Sequence, residues 1–183
     1  YHQAESSATT DFLTGLANAR SLFHHLESEL ARARREERPL TVAVIDVDNF
    51  KLINDERGHL EGNRLLRILG ESLRAHCREY DYVARMGGDE FVLVFSGLGR
   101  DLAEMRLAHL KRDVEEDVRA RSGYDLILSV GWASWPEDGR DAEALLSTAD
   151  REMYRAKQNS ESRRRTRARW QQWAQRMEQA ALP

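Results

Sequence analysis

Apolar residues recur along this chain with two different spacings, which together predict a sheet covered by helices. Helical spacing marks four segments, which begin near residues 22, 65, 107 and 142. Short runs rich in β-branched and aromatic residues mark strands at 41–47, 82–86, 91–95 and 126–133. Helices and strands do not alternate in the regular order of a doubly wound fold. We therefore expect an α/β chain in the α+β sense, with a mixed central sheet.

Acidic residues stand where the first predicted strand ends and where a predicted hairpin turns. Residues 41–47 are almost continuously apolar, which is typical of a strand buried on both faces, and Asp46 and Asp48 lie at its carboxyl end. The sequence Gly-Gly-Asp-Glu at 87–90 separates the next two strands, so its acids should project from a hairpin tip.

Each acidic motif also has a purely structural interpretation. An aspartate after a strand often caps the following helix, and a glycine turn often carries solvated acids. Taken together, carboxylates from a strand end and a hairpin tip form an oxygen-rich site for a hard cation. Mg²⁺ usually binds one or two carboxylates plus substrate phosphates, so the pair indicates phosphoryl or nucleotidyl transfer.

The two ends of the chain differ in composition from the segment between them. Residues 1–10 are polar and small, which is typical of a linker, and we expect a missing region before Tyr1. Residues 163–183 hold six arginines and one glutamate. Apolar side chains in this tail, including Trp170 and Trp173, share one helical face, so we expect a separate amphipathic helix. The tail is a solvated charge run, an intersubunit helix, or a contact to nucleic acid or membrane.

Composition limits the function classes further. The 183 residues have a net charge of −3, with 41% hydrophobic and 32% charged residues, which fits one globular domain and gives no reason to expect nucleic acid as a partner. The lone cysteine, Cys77, excludes an internal disulfide and suits the cytoplasm. No apolar run approaches the roughly 20 residues that span a bilayer, so we expect no membrane contact.

Four segments in order resemble one known family. They are DFLTGLANAR at 11–20, DVDNFKLINDERGH at 46–59, MGGDEF at 86–91 and ADREMYRAK at 149–157. They are similar to the DxLTGLxNRR, DxDxFKxxND, GGDEF and ADxALYxAK motifs of the GGDEF domain, the diguanylate cyclase family. The resemblance predicts a catalytic domain at 11–160, between a linker at 1–10 and the tail at 161–183.

The resemblance also implies a fold and a reaction. The fold would be a five-stranded mixed sheet similar to the palm of class III nucleotidyl cyclases. Members of the family condense two GTP into cyclic di-GMP, with one GTP on each subunit of a homodimer. The implied cofactor is Mg²⁺ or Mn²⁺.

Site residues follow from the same resemblance, position by position. The metal ligands would be Asp46, the Val47 carbonyl and Asp89, and the catalytic residues would be Asp89, Glu90 and Lys51. The substrate-binding residues would be Asn49, Phe50, Lys51, Asn54, His59, Asn63 and Lys157. Within this set Asn54 and Asn63 would contact guanine, and the two lysines and the backbone at 49–51 would hold phosphates. Asp89 is the candidate general base, although a bound metal can itself activate the hydroxyl.

Three positions depart from the family pattern. Asn63 stands where the family usually has aspartate, so base selection is open and ATP becomes a candidate second substrate, with cyclic AMP-GMP as a mixed product. Glu161 stands where a phosphate-binding arginine is usual, and Ala19 where the first of two arginines is typical.

The sequence Arg-Glu-Tyr-Asp at 78–81 matches the family's RxxD inhibitory site, where the cyclic dinucleotide product would bind Arg78 and Asp81. A surface ion pair is the alternative. An RxxD site is also compatible with a second function, in which a weak or silent enzyme acts as a cyclic dinucleotide receptor.

Overall fold

The computed structural model describes residues 8–180, apart from the side chains of 161–174 and 178. Most of the predicted linker, residues 1–7, therefore lies outside the described residues. The helices are α1 (Ala19–Glu36), α2 (Phe50–Arg57), α3 (His59–Ala75), α4 (Arg100–Ser122) and α5 (Ala142–Ala180). The strands are β1 (Leu40–Val47), β2 (Tyr82–Gly87), β3 (Glu90–Ser96) and β4 (Leu128–Trp135).

The strands form one sheet in the order β2-β3-β1-β4, with every neighbouring pair antiparallel. The predicted α+β class, with a central sheet covered by helices, is confirmed. The described sheet differs in detail, because it has four strands where the family resemblance implied five, and its neighbouring strands are antiparallel where a mixed sheet was expected. The helical connections from β1 to β2 and from β3 to β4 each join two parallel strands that have one other strand between them in the sheet. Parallel strands are therefore not adjacent in the described sheet. The one parallel pairing in the described part is an isolated bridge between Ala17 and Ala84 at the β2 edge.

Helices cover both faces of the sheet, and strand alternation assigns each side chain of β1 to one of them. Ala43 and Ile45 point into the cluster that includes α3 and α4, whereas Val42 and Val44 point into the cluster that includes α1 and α5. Asp46 continues the second series. It therefore lies on the side of the sheet that α5 covers.

Local sequence explains where α1 begins and ends, and why α5 is long. The Asn18 side chain accepts a hydrogen bond from the Ser21 N–H, which caps α1, and the helix ends before Arg38-Pro39 as predicted. Helix α5 continues through the change in composition at Arg163, because no glycine or proline interrupts residues 142–180. The predicted tail helix is thus the end of α5 and not a separate element.

Within the described residues, no helix is both long enough and apolar enough to cross a membrane.

Candidate active site

Strand β1 and the turn between β2 and β3 bring the predicted acidic residues together. Asp46 pairs in register with Glu90 on β3, which places the 87–90 turn beside the end of β1. Gly87 and Gly88 have φ values of 140° and 51°. Residues with a Cβ atom rarely adopt positive φ values of this kind, whereas glycine adopts them readily. The two glycines therefore permit the tight, bulged turn that directs Asp89 toward Asp46.

Lys157 reaches the same point from α5. Its Nζ atom donates to Asp46 Oδ2 over 2.8 Å, and the two side chains are 27% and 16% exposed. The other oxygen of Asp46 accepts a hydrogen bond of 2.9 Å from the Val47 N–H. Both oxygens of Asp46 are thus engaged by positively polarised donors.

Close packing of α5 on β4 fixes the position of Lys157. A Cβ atom at Gly131 of β4 would lie 2.0 Å from the Met153 nitrogen and 2.1 Å from the Ala149 carbonyl oxygen. Lys157 follows Met153 by four residues and lies on the same face of the helix. The close approach at Gly131 therefore sets how near Lys157 comes to Asp46.

The pKa values of Asp89 and Glu90 are raised. Burial, followed by the hydrogen bond and the negative charge of Asp46, raises the pKa of Asp89 to about 7. Burial, with smaller effects from Asp150 and Asp46, also raises the pKa of Glu90. Several partly buried carboxyl groups that lie this close together attract a cation strongly.

The oxygen donors of the site fit a divalent cation whose remaining coordination positions are filled by substrate phosphates. No group of three or more His, Cys, Asp or Glu side chains in the described part of the chain is placed to hold a metal. Asp46 and Asp89 supply two carboxylates, which is the number that Mg²⁺ commonly takes from a protein when phosphates provide further ligands.

The start of α2 supplies the predicted phosphate-binding backbone. The first hydrogen bond at this end of the helix runs from the Ile53 N–H to the Asn49 carbonyl, so the N–H groups of Phe50 and Lys51 precede it. The Asn49 side chain donates to the Asp125 carbonyl over 3.0 Å and accepts from the Ile127 N–H, which ties the helix start to the segment before β4. Phe50 packs against the core, and Lys51 is exposed.

The predicted base-binding residues lie on α2 and α3. A Cβ atom at Gly62 would lie 1.9 Å from Asn54 Oδ1, so the glycine leaves room for the Asn54 amide between the two helices. That Oδ1 atom is buried and has no hydrogen-bond partner in the described structure. Asn63, next to Gly62, is half-buried, and His59 is exposed at the start of α3.

The predicted inhibitory motif forms a tight turn before β2. The Arg78 side chain is exposed and donates to the Tyr80 hydroxyl over 2.7 Å. Asp81 is only 4% exposed, and its Oδ2 atom accepts a hydrogen bond from the Arg78 N–H. The structure thus leaves the Arg78 side chain exposed to solvent, whereas Asp81 holds the turn.

Comparison with known proteins identifies the family. Residues 8–163 match the family described as "Diguanylate cyclase, GGDEF domain". The chain belongs to the GGDEF family.

Curated and solved relatives agree with this assignment. Diguanylate cyclase DgcP of Pseudomonas aeruginosa is 36% identical over 157 residues, which are 85% of this chain and 23% of that protein. Diguanylate cyclase DosC of Escherichia coli is 36% identical over 155 residues, 84% of this chain and 34% of that protein. The GGDEF domain of DgcB from Caulobacter crescentus, solved in complex with c-di-GMP, is 27% identical with a TM-score of 0.75, covering 84% of this chain and 89% of that one. This chain spans a quarter to a third of the length of the two curated relatives.

One cluster of this GGDEF domain was not assigned a role from the sequence. Arg85 donates from Nη1 to Asp11 over 2.9 Å and from Nε and Nη2 to the Gly88 carbonyl. The other oxygen of Asp11 accepts from the N–H and hydroxyl of Thr14. Burial raises the pKa of Asp11, but these hydrogen bonds and the charge of Arg85 outweigh it and lower the pKa overall. The Asp-x-x-Thr spacing, typical of a side-chain-capped turn, was the available signal.

Proposed function

We propose that this GGDEF domain condenses two GTP molecules into cyclic di-GMP in a homodimer, with one GTP on each subunit. The observation that carries the proposal is the meeting of Asp46, Asp89 and Lys157 at one point, from three segments distant in sequence. The named diguanylate cyclases among its relatives support it. The cytoplasmic location stays a prediction from cysteine use.

Asp46, the Val47 carbonyl and Asp89 are the proposed ligands of Mg²⁺ or Mn²⁺. A divalent cation bound there neutralises charge on the triphosphate and lowers the pKa of a coordinated hydroxyl. Lys51, Lys157 and the N–H groups of Phe50 and Lys51 at the start of α2 are the proposed ligands of the phosphate oxygens. The roles of Asp89 as proton acceptor and of Glu90 as its neighbour at the tip are part of the proposal.

Asn54 and Asn63 are the proposed guanine contacts, with His59 at the rim. The buried, unpartnered Oδ1 atom of Asn54 supports this assignment, because a buried acceptor is costly unless a donor reaches it. A base N–H group is such a donor.

We expect product per subunit to rise with protein concentration, because one bond is formed between nucleotides held on two subunits. The test incubates the purified chain with GTP and Mg²⁺ over a wide concentration range and measures cyclic di-GMP by mass analysis. An absence of product at every concentration would favour the alternative function of a silent cyclic dinucleotide receptor.

A mixture of GTP and ATP tests base selection at Asn63. Aspartate offers two acceptors to guanine N1–H and its amino group, whereas the Asn63 amide offers one acceptor and one donor, which adenine can also pair with. A bidentate base contact discriminates by about 1 to 3 kcal/mol, or about 5- to 150-fold. We expect detectable cyclic AMP-GMP from the unaltered chain and its suppression in Asn63→Asp. Cyclic di-GMP as the sole product, with ATP not consumed, would contradict this expectation.

Arg78→Ala is expected to relieve inhibition by cyclic di-GMP without lowering the initial rate. Arg78 is exposed and bonded only to Tyr80 in the side-chain contacts described, so its loss should not disturb the fold. Progress curves with and without added product measure the effect, and calorimetry measures binding. Should the unaltered chain bind no cyclic di-GMP at micromolar concentration, Arg78 is a surface residue only.

A further inference from the structure

Lys157 bonds to a carboxylate in the structure, although its proposed role is to bind phosphate. The contact joins residues 111 positions apart, and it is well formed at 2.8 Å with both side chains mostly covered. A long lysine side chain loses considerable rotamer freedom when it is held in this way. The negative charge around its ammonium group explains why Lys157 stays bonded to Asp46.

Several carboxyl groups surround this ammonium group. Asp46 bonds it directly, and Asp89 and Asp48 are close enough to act on it electrostatically. Glu90 and Asp150 add negative charge near the hairpin tip. Lys157 is thus the cation of a partly buried acidic cluster.

We propose that Lys157 is the resident counter-ion of this site: it neutralises Asp46 until a divalent cation binds, and it then leaves Asp46 for the triphosphate. The inference rests on the proposed metal ligands Asp46 and Asp89. A partly buried carboxylate without a cation is unfavourable, so Lys157 stabilises Asp46 while no metal is bound. The exchange makes metal and nucleotide binding mutually supportive, because the freed ammonium group becomes a phosphate ligand.

The first test measures Mn²⁺ binding without any nucleotide, by the spectroscopic signal of free Mn²⁺. Lys157→Met removes the competing cation, so it should bind Mn²⁺ at least about fivefold more tightly than the unaltered chain, the lower end of common coupling effects. Lys111→Met is the matched control, because Lys111 pairs with Glu115 on α4 and belongs to neither the site nor the exchange, so it should leave Mn²⁺ affinity unchanged. Adding Asp46→Asn to Lys157→Met should abolish the gain.

Equal or weaker Mn²⁺ binding by Lys157→Met would overturn the inference. A gain that survives Asp46→Asn would also overturn it, and would remove Asp46 from the proposed metal ligands as well. Neither measurement involves GTP, so a failure here is distinguishable from a failure to make cyclic di-GMP.

The second test uses the unaltered chain and does not depend on any variant folding. An amine-reactive label, located by mass analysis of peptides, reports how freely each lysine reacts. Saturating Mn²⁺ should raise the labelling rate of Lys157 about fivefold, because its ammonium group leaves Asp46. Lys111 is the internal control, since its ion pair with Glu115 on α4 is part of neither the site nor the exchange. A Lys157 rate that does not change with Mn²⁺ would contradict the proposal.

Discussion

Replacing Asp89 by asparagine is expected to slow cyclic di-GMP formation by about 10² to 10³-fold, the usual loss for one group that stabilises developing charge. Asparagine preserves the shape of the hairpin tip but brings no negative charge to a cation and cannot accept a proton in the same way. Initial rates with saturating GTP and Mg²⁺ measure the loss. A full rate in this variant would show that Asp89 is not a ligand needed for turnover.

The same variant should be at least as stable as the unaltered chain without metal. The pKa of Asp89 is about 7 in the folded domain against an ordinary value of 3.8, because of burial and Asp46. Ionising Asp89 therefore disfavours the folded state, increasingly as pH rises from about 4 to 7, and fully above that. Asparagine removes this effect. Thermal unfolding in chelator at pH 8 should give an equal or higher midpoint, and a lower one would indicate a structural role instead.

Gly131→Ala is expected to destabilise the domain by about 3 kcal/mol or more, at the upper end for overpacked cores. The new methyl group would meet the backbone of α5 at 2.0 and 2.1 Å, where no side-chain rotation can relieve the clash. Urea unfolding measures the change.

Gly99→Ala is the matched control for this substitution. Its Cβ atom would approach the flexible end of the Asp101 side chain at 2.9 Å, with Pro39 at 3.4 Å. We expect a change of about 1 kcal/mol or less in the control. Similar effects at both positions would mean that α5 can move away from β4 without loss.

The sequence predicted the local parts of the site better than the contacts between them. Strand periodicity and the Gly-Gly turn placed Asp46 and Asp89 at adjoining ends of strands, because those signals are local. The bond between Lys157 and Asp46 could not be predicted in this way, since it depends on how α5 packs at Gly131. The family resemblance named Lys157 but gave it a phosphate as its partner.

Burial was the second property that the sequence pattern did not reveal. A short Arg-x-x-Asp motif predicted two ligand-binding side chains, and the structure shows Asp81 folded into its own turn. Whether a polar residue faces solvent or its own backbone depends on turn geometry. The strand count differs in its source, because periodicity predicted the four strands that the described sheet contains and only the family resemblance implied a fifth.

The bonds from Arg85 to Asp11 and Gly88 have a consequence for modular evolution. The 87–90 turn is held by hydrogen bonds from residues that all lie within the segment matching the family, at 8–163. Such a domain contains the residues that hold its own hairpin tip in place. It can therefore be fused to unrelated domains without changes in the sequence of that tip. This portability suits a unit that makes up only 23% and 34% of the lengths of two relatives.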